Sequence, residues 1–190
     1  MTDDSLARRG RAMEDAFFHD LDAKLVEKIR LQSESAAQRA ELVRTTGIKD
    51  ETLLDELVAL GVTGESLVAM RLVPMLMVAW ADREVSPEER ATIVCEAEKM
   101  GIGSQSVPGQ LLNTWLAKRP SGELLDAWQH YTAALFASMP ERSRRAYLDE
   151  LSRELNLVAR ASGGILGIGS VSESEAAMIE KIIGSFASIR

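Results

Sequence analysis

The chain has 190 residues and a formal net charge of −7, from 29 acidic against 22 basic residues. Hydrophobic residues make up 46% and charged residues 27%, a balance that buries a core and excludes disorder throughout the chain. The acidic excess repels polyphosphate and speaks against nucleic-acid binding, and the single cysteine, Cys95, excludes an intrachain disulfide.

The N-terminus opens Thr2-Asp3-Asp4, with Arg8, Arg9 and Arg11 following and no apolar run behind them, unlike a secretion signal. The stretch from Met13 to Ile29 carries Met13, Phe17, Leu21, Leu25 and Ile29 at four-residue spacing, which predicts one apolar stripe on a helix. That stripe either packs on the chain's own core or serves a protein partner or a second copy.

Further along, Gly47-Ile48, Gly61-Val62 and Gly101-Ile102 each place a glycine and an aliphatic residue after an amphipathic run. A glycine there takes the left-handed position that ends a helix, and the next residue folds back onto the last turn. Helices are predicted at about 4–32, 35–46, 51–60, 64–81, 87–100, 107–119, 122–138, 141–161 and 173–188. Ser33-Glu34-Ser35 interrupts the first two only weakly, so one long helix is an open alternative. No segment alternates with period two, so an all-α fold is expected. The longest mostly apolar run, Leu72 to Ala81, falls short of the ~20 residues of a membrane-spanning helix, and a soluble cytoplasmic protein is expected.

A faint internal repeat is visible. Val85-Ser86-x-x-Glu89-x-Ala91-x-Ile93 recurs as Val171-Ser172-x-x-Glu175-x-Ala177-x-Ile179, and Val78-Ala79-x-Ala81 is echoed by Val158-Ala159-x-Ala161. Shared helix-capping residues contribute to this similarity.

One segment has a plausible chemical reading. In Asp82-Arg83-Glu84-Val85-Ser86-Pro87-Glu88-Glu89 one helix ends and the next begins, with Ser86 as cap, Pro87 at the first position and Glu89 completing a capping box. Its carboxylates serve either the helix start alone or a hard cation, Ca²⁺ or Mg²⁺, bound through Asp82, Glu84 and Glu89. Gly163 to Ser170 has glycines at P-loop spacing, but Ser170 stands where the lysine belongs and a helix precedes it, so a connection is expected. His19 and His130 are each isolated in sequence, and Cys95 has Glu96 and Glu98 beside it, which disfavours a thiolate. Neither pattern suggests catalysis.

Ala79-Trp80-Ala81-Asp82-Arg83-Glu84-Val85-Ser86-Pro87-Glu88-Glu89 resembles the A-x-A-D-G-x-(I/V)-x-x-x-E motif of TerB-like proteins, the tellurite-resistance-associated helical family. The likeness covers roughly residues 64–190. It implies an all-helical, non-enzymatic module of stress-associated assemblies, with Asp82, Glu84 and Glu89 at the positions suspected of metal binding. Arg83 replaces the motif's glycine, and the second copy has Gly169-Ser170 where acids are expected. A shorter likeness, Arg11-Ala12-x-Glu14-x-x-Phe17-x-His19-Asp20, resembles the N-terminal helix of the zeta-type inhibitor of bacterial rotary ATP synthases and implies an arm that inserts into a partner. The expected organisation is therefore an N-terminal helical arm, residues 1–46, and a degenerate two-copy TerB-like helical domain, residues 47–190. It acts as a cation-binding module or as a metal-free protein-interaction module.

Overall fold

The computed structural model describes residues 28, 30–161 and 171–186. The stripe Met13, Phe17, Leu21, Leu25 and Ile29, the shorter likeness from Arg11 to Asp20 and the glycine-rich connection lie outside the described residues. Among the described residues the protein is an all-α bundle with no strand. None of the described helices is long and apolar enough to cross a membrane.

Helix α1 spans residues 30–46 without a break. Ser33 and Ser35 do not divide it, and an Arg30–Glu34 ion pair of 2.7 Å ties successive turns together across them. Its first turns are exposed, with Leu31 53% accessible, whereas Leu42 near its end is fully buried in the core. Gly47 then takes φ +72° and donates its N–H to the Val43 carbonyl at 2.8 Å, closing the helix.

Helix α2 (Glu51–Ala59) starts on Asp50, whose carboxylate accepts the Leu53 N–H, and buries Leu53, Leu54 and Leu57. Gly61, at φ +74°, ends this segment, and Val62 returns its N–H to the Leu57 carbonyl at 2.9 Å.

The single helix expected over 64–81 is two pieces, a 3₁₀ segment Ser66–Leu72 and helix α3 (Val73–Ala79). The cause is Pro74: it has no N–H to give the Met70 carbonyl, so a continuous α-helical ladder cannot pass through it. The Val73 N–H bonds that carbonyl instead, in the tighter 3₁₀ pattern, and Pro74 sits in the first turn of a new helix. Every residue of α3 is buried, which marks it as the central helix.

Helices α4 (Pro87–Lys99), α5 (Val107–Ala117), α6 (Glu123–Ser138), α7 (Glu141–Ala161) and α8 (Glu173–Gly184) complete the bundle. The end of α5 is earlier than expected because Lys118 is already extended, two residues before Pro120. α8 also stops short of the expected 188, and Phe186 turns inward onto Trp128, with ring centroids 5.4 Å apart and edge-on.

The two copies of the repeat are hairpin-like pairs, α3 with α4 and α7 with α8. α3 packs on α7, α4 also packs on α7, and α8 also packs on α3. Each copy's second helix thus lies against the other copy's first. Around them α2 packs on α6, and α5 packs on the 3₁₀ segment.

Candidate functional site: two buried glutamates at paired helix starts

The α3–α4 turn is built by local hydrogen bonds. Ala81 and Arg83 donate their N–H groups to the carbonyls of Val78 and Trp80, at 2.9 and 3.1 Å. The Trp80 indole N–H reaches the Trp115 carbonyl at 3.0 Å and so anchors the turn to α5. Arg83 then adopts φ +79°, the only positive φ at a non-glycine residue among the described residues. This is the position held by glycine in the TerB-like motif, so the arginine keeps a backbone geometry that glycine adopts without a Cβ penalty. Arg83→Gly should therefore raise stability by about 1 kcal/mol, read as a higher denaturation midpoint with an unchanged slope. A lower midpoint would mean that the arginine side chain contributes more than its backbone costs.

From there the chain straightens into the start of α4. Ser86 accepts the Glu89 N–H at 3.2 Å, and the Glu89 carboxylate accepts the Ser86 N–H through Oε2 at 2.8 Å. This is the predicted capping box, and Pro87 occupies the first helical turn as expected.

The three acids of the turn have different surroundings. Asp82 is exposed, and its Oδ1 accepts the Glu84 N–H at 3.3 Å. Glu84 supplies that N–H and leaves its own carboxylate in solvent. Glu89, by contrast, is only 1% accessible. Its Oε1 is buried and has no hydrogen-bond partner. Burial pushes the Glu89 carboxyl above the ordinary carboxylate range, against the pull of the Ser86 hydrogen bonds. The charges of Glu175 and Asp82 push it further up. Arg90 offers no relief, because its guanidinium donates to the Leu116 carbonyl at 2.6 Å, at the end of α5.

Glu175 is the residue that the sequence reading overlooked. It occupies the start of α8 in the same way that Glu89 occupies the start of α4. Ser172 accepts its N–H at 3.2 Å, and its carboxylate accepts the Ser172 N–H at 2.7 Å. Ser86 and Ser172 share φ −64° and −66° with ψ 157°, and Glu175 is likewise 1% accessible. The signal was present in the repeat, where Glu175 aligns with Glu89.

Among the described residues, no group of three or more acidic, histidine or cysteine side chains is gathered so as to hold a metal ion. What the site offers is two buried carboxylates at two helix starts, with Asp82 near enough to Glu89 to influence its charge. His130 pairs through Nδ1 with Glu56 at 2.9 Å, and Cys95 is exposed. No protein-family model, curated protein or solved structure matches the chain.

Proposed function

We propose that the protein is a non-enzymatic, TerB-like helical module of stress-associated assemblies. In this reading it binds a hard divalent cation, Mg²⁺ or Ca²⁺, at the start of α4. The observation that carries the reading is the Glu89 carboxylate: almost wholly buried, held in place through Oε2, and with Oε1 unpaired. A buried acceptor left unsatisfied costs about 1–3 kcal/mol, and more when charged. A cation in contact with Oε1 removes that cost. A hydrated Mg²⁺ suits the site, because it keeps several waters and takes only one or two carboxylates. Asp82, exposed beside the turn, adds negative potential at Glu89, whereas the Glu84 carboxylate lies in solvent. The left-handed Arg83 supports the TerB-like part of the reading, since it preserves the turn that carries the acidic motif.

Thermal melts of the full chain in chelator and in millimolar MgCl₂ or CaCl₂ test this. Binding at one hundred times the dissociation constant stabilises the native state by about 2.7 kcal/mol. For a chain of this size, each kcal/mol moves the melting temperature by about 2–4 °C. The increment should disappear in Glu89→Gln and shrink in Asp82→Asn with Glu84→Gln. A wild-type melt unmoved by either ion would overturn the proposal.

A second reading, a metal-free interaction module whose N-terminal helix binds a partner, draws on the exposed first turns of α1 and on Leu31. The same ion-independent melt would favour it.

A further inference from the structure

The proposed cation site is built on a short run of chain that is tied at both ends to a third helix. We infer that Trp80 and Arg90 are its positioning residues: by bonding two successive carbonyls at the end of α5, they hold the α3–α4 turn and the start of α4 in the arrangement that a cation can bind. This inference rests on the cation-binding reading above.

The last carbonyls of a helix have no N–H partner within it. At the end of α5 the Thr114 carbonyl takes the Lys118 N–H at 3.1 Å. The next two accept from outside the helix: Trp115 from the Trp80 indole at 3.0 Å, and Leu116 from the Arg90 guanidinium at 2.6 Å. The second bond is short and charge-assisted, and its cation sits at the negative end of the helix dipole. Asp82, Glu84 and Glu89 all lie between these two tie points. α3 and α4 are not among the principal packing partners of α5, which lies on the 3₁₀ segment, so the two side chains supply a hold that helix packing does not. Glu89 itself is fixed through Oε2, by the Ser86 N–H of the same run, and Oε1 has no donor. Where Oε1 stands therefore follows from where the backbone of that run is held. Groups that orient a metal ligand without touching the ion typically govern about ten- to a hundredfold in affinity.

The test is titration calorimetry of the full chain with MgCl₂, comparing wild type, Trp80→Phe, Arg90→Met, Arg90→Lys and Trp128→Phe. Trp80→Phe keeps a ring and loses the N–H, and Arg90→Met keeps the apolar stem and loses the donor. Affinity should fall about tenfold or more in each. Arg90→Lys, which still donates to one carbonyl, should bind closer to wild type. Trp128→Phe loosens the aromatic cluster on α6 and should lower the melting temperature without moving the affinity. The sign at Arg90 is decisive, because loss of a nearby positive charge would by itself tighten cation binding. A melt in chelator establishes that each variant is folded, and Arg90→Gln replaces Arg90→Met if that variant is not. Wild-type or tighter binding in either Trp80→Phe or Arg90→Met would overturn the positioning role and leave the cation site standing, as would an equal loss in Trp128→Phe. Absence of Mg²⁺ binding by the wild type would overturn the cation-binding reading, and this inference with it.

Discussion

Trp128→Ala should lower the stability of the fold by about 3–5 kcal/mol, the largest loss expected from any single truncation. Trp128 is 1% accessible on α6 and meets the edge of Phe186, which in turn lies 5.3 Å from Phe136. Phe136 also packs edge-on against Tyr147 of α7, at 5.3 Å. Removing the indole therefore opens a cavity where α6, α7 and the residues just past α8 converge. Its neighbours are rings, which cannot bend to fill the space. The loss is read as a lower urea midpoint with the same slope, together with a weaker near-UV circular dichroism signal. A loss under about 1 kcal/mol would mean that the aromatic cluster is loosely packed.

Gly109→Ala should destabilise by about 1–3 kcal/mol, against the direction that helix propensity alone predicts. Alanine favours a helix interior over glycine by about 1 kcal/mol, so an open site would gain stability. At Gly109 a Cβ would stand 2.0 Å from the Gly103 carbonyl oxygen and 3.1 Å from the Ser104 Cα, both backbone atoms. That oxygen is not free to retreat. It accepts the Ser106 N–H at 3.0 Å and the Ser106 hydroxyl at 2.7 Å, while the same hydroxyl oxygen accepts the Gly109 N–H at 3.2 Å. An added methyl group therefore disrupts the start of α5 as a unit. Gly184→Ala on α8, where no described residue lies within 4 Å of the new Cβ, is the control and should be neutral or stabilising. Equal effects at the two positions would contradict the steric argument.

Local punctuation was legible in the chain because it depends on backbone geometry that few residues satisfy. Gly47, Gly61 and Gly101 take the left-handed conformation expected of them, and Ser86 and Asp50 cap the helices they precede. Two helix boundaries have equally local causes. The helix expected over 64–81 runs through Pro74, whose missing N–H divides it. Ser33-Glu34-Ser35 is a weak interruption in sequence and none in the structure, because serine interrupts a helix only where its side chain captures a backbone group. The site was half legible. The capping box at Glu89 followed from spacing, but its burial did not, because the third residue of a helix is ordinarily exposed and only tertiary packing covers it. Glu175 was spelled out by the repeat. Recognising its importance required knowing that the two helix starts influence one another, which spacing does not encode.

The exchanged packing of the repeat bears on how the molecule is made. α3 is apolar on every face, and part of its cover is α8, which lies far downstream in sequence. During synthesis the first hairpin emerges with that cover still missing, so Val73–Ala79 must wait, exposed or provisionally sheltered, until α8 has left the ribosome. Such distant pairing slows folding, since a long loop has to close before its contacts return any energy. A stall between α7 and α8 therefore leaves the wholly buried helix Val73–Ala79 without part of its cover.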